Sequence, residues 1–104
     1  MKKENIVSFI QNQTVIAEVE NYNNIDFLKS IGGKKSFFNS KKWTFKYSDK
    51  KELSSILTKL NDQGFYFLNV PHGWPPYAVF LQLRDEGFVD SDCKEITYDG
   101  KEYI

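Results

Sequence analysis

The fold is decided by residues 42–60, KWTFKYSDKKELSSILTKL, in which an alternating segment runs directly into an amphipathic one. In the first half, aromatic side chains at every second position alternate with polar ones, which predicts a strand with one aromatic and one basic face. In the second half, apolar residues recur at i, i+3, i+4 and i+7 and predict a helix with a single apolar stripe: Leu53, Ile56, Leu57 and Leu60. Asp49 with Glu52 fits a capping box for this helix, and Ser48 is a competing cap.

Upstream of this stretch, the pattern predicts two strands, a short helix and one more strand. A polar turn at 11–13 separates the first two strands, and Gly32-Gly33 ends the helix because glycine readily adopts the left-handed conformation. The predicted order is strands at 6–10 and 14–19, a helix through about Ile31, and a strand at 34–38 that forms a hairpin with 42–47.

Downstream, the helix from Asp49 to about Gln63 is followed by a continuous apolar run that predicts a buried strand. The predicted order is a strand at 65–70, a rigid proline loop at 71–76, a helix at 77–86, and a hairpin of 95–98 with 101–104 around Asp99-Gly100. The whole chain, 1–104, is therefore expected to form one α+β domain. Its expected architecture is a small mixed or antiparallel sheet with two to three helices in the order ββαββαβαββ.

The charges of the chain cancel in total but are separated along it. The 104 residues contain 14 Lys and Arg against 14 Asp and Glu, a net charge of zero. Residues 29–51 carry eight lysines against Asp49 alone, a net +7, whereas residues 84–104 carry seven acids against three basic residues, a net −4. A polyanion would therefore bind the middle of the chain, and the acidic tail would face away from it or meet a basic partner.

Several classes of protein are disfavoured by what the sequence does not contain. One cysteine (Cys93) and one histidine (His72) cannot supply a tetrahedral zinc site or an internal disulfide. No Walker A, Gly-x-Gly-x-x-Gly or Gly-x-Ser-x-Gly pattern is present, and no apolar run approaches 18 residues. We therefore expect a cytoplasmic, non-enzymatic protein with no cofactor, no metal and no membrane span. A small hydrolase or nuclease is the least favoured class.

Residues 27–47, FLKSIGGKKSFFNSKKWTFKY, carry a resemblance to a known family. The features are Phe27 to Lys29, a glycine followed by two lysines at 33–35, Phe38-Asn39, and Lys42 before Trp43-Thr44-Phe45, with an amphipathic helix following. In this arrangement residues 15–61 resemble the HARP domain, the accessory DNA-binding module of SNF2-group annealing helicases. The turn before Trp43 is shorter than in that family, lysines replace arginines, and no helicase motor is attached. The resemblance implies DNA binding and no enzymatic activity.

The residues themselves also favour nucleic acid as the partner. Lysines along a hairpin can follow a phosphate backbone, and an exposed aromatic side chain among them can stack on unpaired bases. The predicted interface is Lys34, Lys35, Phe37, Lys41, Lys42 and Lys46. Trp43 and Phe45 share one strand face and fit the core under the helix stripe better than an exposed stacking surface. Single-stranded, duplex and branched DNA remain open at this point.

The alternative hypothesis is a protein-binding role. A short chain with split charge and no catalytic motif also suits a phage-type or mobile-element protein that inhibits a host protein, in an anti-defence or regulatory role. Aromatic residues beside a rigid proline loop can form a protein contact, and acidic residues of the tail can meet a basic surface. The residues of this alternative site are Trp74, Tyr77, Asp90 and Asp92. The oligomeric state is left open.

Overall fold

The computed structural model describes residues 5–20, 25–37, 41–98 and 100. Their order, ββαββαβαβ, confirms the predicted α+β class, and the predicted strand 101–104 with Asp99 lies outside the described residues. The strands are β1 (Ile6–Gln11), β2 (Thr14–Glu18), β3 (Lys34–Lys35), β4 (Lys42–Lys46), β5 (Tyr66–Leu68) and β6 (Lys94–Ile96). The helices are α1 (Ile25–Ser30), α2 (Lys50–Asp62) and α3 (Pro76–Asp85).

The described strands form one mixed sheet in the order β3-β4-β2-β1-β5-β6. The first four strands in this order pair antiparallel, whereas β1, β5 and β6 run parallel. The predicted turn between β1 and β2 is confirmed: Asn12 and Gln13 both have positive φ, at 54° and 60°. Two consecutive positive φ angles match the right-handed twist of a two-residue hairpin.

The helices pack against one face of the sheet. The buried cluster joins side chains from that face, such as Val15, Phe45 and Phe67, to Leu28 of α1 and to residues of α2 and α3. All four residues of the predicted α2 stripe are buried. The ring of Phe67 lies 5.0 Å from that of Phe80, which holds α3 against β5. Trp43 and Phe45 are 2% and 0% exposed, which confirms that they belong to the core.

The start of α2 follows the capping prediction. Asp49 is the N-cap, and its carboxylate accepts a hydrogen bond from the Glu52 backbone N–H at 2.8 Å. Glu52 in turn accepts from the backbone N–H of Ser48 at 3.2 Å. Ser48 therefore supports the cap from the preceding position. This local chemistry fixes where β4 ends and α2 begins.

The other face of the sheet, hereafter the open face, is the face opposite the helices. Strand alternation and register assign Lys34, Ile16, Thr44 and Glu18 to it. The register shifts between Val7 and Phe9, so the strand contains a bulge at Ser8. Phe9 consequently pairs with Ile16 and lies on the open face, 38% exposed.

Candidate nucleic-acid interface

The six predicted interface residues lie in and around the β3–β4 pair, but they do not share one surface. Lys34 pairs with Thr44, while Lys42 and Lys46 alternate with the buried aromatic residues of β4, which places all three lysines on the open face. Lys35 pairs with Trp43 and so belongs to the helix side of the edge strand. Three of the five lysines therefore form a group on the open face, while Lys35 and Lys41 lie at its border.

Ion pairing separates these lysines further. Lys41 contacts the Glu20 carboxylate at 3.1 Å, so its charge is largely compensated. Within the described ranges, Lys34, Lys35, Lys42 and Lys46 are exposed and form no ion pair. One acid lies close to them: Glu18 is opposite Lys42 in the β2–β4 register. The uncompensated positive charge is thus concentrated at Lys34, Lys35 and Lys46, with Lys42 beside an acid.

Of the hairpin's aromatic residues, Phe37 is the one that the structure exposes, at 92%. It follows β3 directly, and Phe38, its predicted neighbour, lies outside the described residues. Tyr47, the third aromatic residue of the alternating row, is partly buried against the core. The alternating aromatic row of β4 is therefore mostly internal, as the sequence predicted for Trp43 and Phe45.

A cleft of about 480 Å³ lies between α1 and β3. Its lining residues are Ile25, Lys29, Gly33, Lys34, Lys35 and Trp43. A side chain at Gly33 would come within 2.6 Å of the Leu28 carbonyl and 2.7 Å of the Phe45 ring, so glycine is required for α1 to approach β4. Sequence reasoning assigned no site role to Ile25 or Lys29, although Lys29 belongs to the basic segment that it counted.

A second groove, of about 200 Å³, connects the open face with the proline loop. Phe9 and Gln11 of β1 line one side, and His72 and Trp74 of the loop line the other. Trp74 is 66% exposed. Sequence reasoning did not identify Phe9 as a site residue, because the bulge at Ser8 determines which face of the sheet its side chain lies on. A chain that alternated without a bulge would place Phe9 on the same face as Val7.

The residues of the alternative protein-binding site are dispersed. Trp74 precedes α3, and Tyr77, in its first turn, is partly buried against the core. Asp90 and Asp92 follow α3, a helix of 10 residues that is about 15 Å long. Asp92 is also paired with Arg84. Trp74 and the two acids therefore lie toward opposite ends of α3.

Metal-binding and nucleophilic side chains are the other candidates for a functional site within the part of the chain that the structure describes. The described part of the chain contains no group of three or more His, Cys, Asp or Glu side chains placed to hold a metal ion. Cys93 is partly buried beside the core, and burial raises the pKa of its thiol to about 11. A hydrogen bond from Lys50 holds the pKa of the Glu86 carboxyl below its ordinary value.

The strand order of the sheet places β6 and its acid Glu95 far from the basic hairpin of β3 and β4. β3 and β4 form one edge, and β6, which follows the acidic segment 85–92, forms the other. Five strand spacings place these edges about 24 Å apart. That exceeds the Debye length of about 8 Å at physiological ionic strength. Glu95 of β6 is therefore too distant to neutralise the lysines of β3 and β4, whereas Glu86, at the end of α3, is paired with Lys50 at the start of α2.

No family model, curated protein or solved structure matches this chain. The resemblance of residues 15–61 to the HARP domain stays a prediction. Among the described residues, no helix has the length and apolar character needed to cross a membrane.

Proposed function

We propose that this protein binds nucleic acid, with DNA as the expected form, and that it acts by binding rather than by catalysis. The single observation that carries the proposal is the open-face group of lysines, Lys34, Lys42 and Lys46, at the sheet edge opposite β6. Lys35, Phe37 and Lys41 border this group. A polyanion approaching that edge meets Lys34 and Lys46, which form no ion pair within the described residues, and Lys42, which lies beside Glu18.

The expected energetics are those of phosphate neutralisation. Each phosphate contacted on a single strand contributes about −0.7 to the slope of log K against log salt, so three lysines predict a slope of about −2. Lysine acts as a flexible point charge, so these contacts supply affinity rather than base sequence preference. Binding is therefore expected to be salt-dependent and tolerant of sequence.

The test is a triple charge reversal, Lys34→Glu, Lys42→Glu and Lys46→Glu, with DNA affinity measured by fluorescence anisotropy at low salt. The matched control, also with three charge reversals, is Lys51→Glu, Lys59→Glu and Lys94→Glu, since the first two lysines are exposed on α2, on the helix side of the sheet, and the third is exposed on β6, the opposite edge. We expect the triple variant to lose at least about 100-fold in affinity and most of the salt slope, and the control to stay close to wild type. Equal losses of DNA affinity in both variants would mean that affinity depends on net charge and not on the open-face lysines. If the wild type does not bind DNA, the proposal is wrong.

The inhibitor hypothesis retains one supporting observation, the 66% exposure of Trp74 beside a groove. It predicts a stable protein complex that is lost in Trp74→Ala and unaffected by the triple lysine variant. Asp90 and Asp92 would not belong to the same contact, because they lie beyond the other end of α3.

A further inference from the structure

The open face carries two continuous rows of side chains that cross the sheet from the basic edge to the groove beside the proline loop. In register, one row runs from Lys34 through Thr44 and Ile16 to Phe9. The next row runs from Lys46 through Thr14 to Gln11. Each row begins at a lysine without an ion pair and ends at a residue that lines the groove.

The third row of the open face differs from these two. It runs from Lys42 through Glu18 to Ile6, so a carboxylate follows the lysine and the row ends at a side chain that is 2% exposed. A negatively charged strand would be repelled by Glu18 and would find no accessible surface at Ile6. The charge pattern therefore favours the rows of Lys34 and Lys46 over the row of Lys42.

The groove at the end of the two favoured rows presents two exposed aromatic side chains. Phe9 is 38% exposed and Trp74 is 66% exposed, and both line the same groove of about 200 Å³. Pro75 and Pro76 are buried directly after Trp74, which fixes the backbone that carries the indole. Aromatic side chains held on a rigid backbone can stack on a nucleobase at low entropic cost.

We infer that a single strand of nucleic acid crosses the open face along the rows of Lys34 and Lys46 and stacks an unpaired base in the groove of Phe9 and Trp74. The inference rests on the proposed function and deepens it by naming the form of the ligand. Three strand spacings separate Lys34 from Phe9, about 14 Å. The lysines contact phosphates at one end of this path, and the aromatic residues contact a base at the other. A duplex, whose bases are stacked on one another, can use the lysines but not the groove.

The test compares Phe9→Ala and Trp74→Ala with a matched control, Phe88→Ala. Phe88 is also an exposed aromatic residue, at 44%, but it lies beside α2 and away from the open face. Binding of oligothymidylate, oligouridylate and a duplex is measured by anisotropy at low salt, and the folded state of each variant by circular dichroism. Stacking predicts a loss of about 5- to 100-fold in single-strand affinity for Phe9→Ala and Trp74→Ala. The duplex affinity of both variants and all affinities of Phe88→Ala stay unchanged.

Tryptophan fluorescence provides a second readout. Trp43 is 2% exposed, so quenching by an added oligonucleotide reports on Trp74. The wild-type signal should be quenched by single strands, and Trp74→Phe should lose the quenching while keeping most of the affinity, since phenylalanine still stacks.

The possible outcomes distinguish the inference from the function on which it rests. If the triple lysine variant loses DNA binding while Phe9→Ala and Trp74→Ala bind single strands as well as wild type does, the inference is wrong and the proposed function stands. If wild-type protein binds neither single strands nor duplex at low salt, both are wrong. Comparable binding of both homopolymers assigns recognition to the base ring and the phosphate, and a preference for one of them assigns a further contact to the sugar 2′-position or to the thymine methyl group.

Discussion

The basic edge, β3 with β4, and the acidic edge, taken as β6 with the acidic segment 85–92 before it, carry opposite charge and differ in how that charge is compensated. At the acidic edge, Glu86 is paired with Lys50, Asp92 with Arg84, and Glu95 accepts a hydrogen bond from Asn69. At the basic edge, Lys41 is the residue of the predicted interface for which the described structure gives an ion pair. Three of the five acids at 85–96 thus have a partner within the chain, whereas four of the five lysines of the predicted interface form no ion pair among the described residues. This difference favours the basic edge over the acidic one as the surface for the binding function that we propose.

The two edges also differ in what supports them. The basic edge stands on Trp43 and Phe45, two of the largest fully buried side chains of the molecule. The acidic edge is a strand of three residues, Lys94–Ile96, attached to β5. A charged surface is best presented when its backbone is held by packed side chains, because the charges are then fixed relative to one another.

The largest expected effect is a loss of stability on removing Trp43, the buried tryptophan that supports the basic edge. The exposed Trp74 serves as the comparison. Trp43→Ala removes a side chain that is 2% exposed and should lower the free energy of unfolding by about 3–5 kcal/mol. Trp74→Ala removes one that is 66% exposed and should change it by about 0.5 kcal/mol or less. Urea unfolding followed by circular dichroism measures both variants. Similar losses in the two would show that Trp74 is structural and would weaken its assignment to a binding groove.

An intermediate effect is expected at the acidic edge, where Cys93 directly precedes β6. Burial raises the pKa of this thiol to about 11 from an ordinary value of 9.0. The neutral thiol is the form that the fold favours, so the thiolate should be about 100-fold scarcer at neutral pH than in an ordinary cysteine. The rate of reaction with a disulfide reagent should accordingly be low in the folded protein and rise on denaturation.

The sign of the pH dependence follows from the same shift. The folded protein holds the Cys93 proton more tightly than the unfolded chain does, so the contribution of this group to stability is fully present below pH 9.0 and declines as the pH rises toward about 11. The control is Cys93→Ser, which should lose both the reagent reaction and this alkaline decline. Rapid reaction of the folded wild type near neutral pH would contradict the packing described for the acidic edge.

The sequence was sufficient wherever structure depends on neighbouring residues. The alternation at 42–47, the Asp49 cap and the α2 stripe are local patterns, and all three are found in the structure. The burial of Trp43 and Phe45 followed from the same patterns, since a strand beside an amphipathic helix must turn its apolar face toward it.

The sequence was insufficient where a feature depends on distant segments. The bulge at Ser8 moves Phe9 to the open face, and the pairing of β1 with β5 brings Phe9 close to Trp74, which is 65 positions further along the chain. The division of the lysines between Lys34 on the open face and Lys35 on the helix side required the β3–β4 register. Neither result is contained in a residue pattern, because both depend on which strands become neighbours.

The smallest expected effect is a change in affinity on neutralising an acid, and it should depend on the distance of that acid from the basic edge. Glu18 is opposite Lys42 on the open face, whereas Glu95 is on β6, about 24 Å from β3. Glu18→Gln should raise single-strand affinity about two- to five-fold, since exposed charge interactions are worth about 0.2–1 kcal/mol. Glu95→Gln should leave the affinity unchanged at physiological salt, because its distance exceeds the Debye length of about 8 Å.

Measuring the affinities of Glu18→Gln and Glu95→Gln at two salt concentrations distinguishes the near acid from the distant one. At about 0.01 M salt the Debye length grows to about 30 Å, and the charge of Glu95 then reaches the basic edge. A small gain in affinity for Glu95→Gln should therefore appear at low salt and vanish at physiological salt, while the gain for Glu18→Gln persists at both. Equal gains for the two variants at physiological salt would mean that the strand also passes close to β6, contrary to the path from Lys34 to Phe9. If Glu18→Gln raises the affinity at neither salt concentration, the bound strand does not cross the open face.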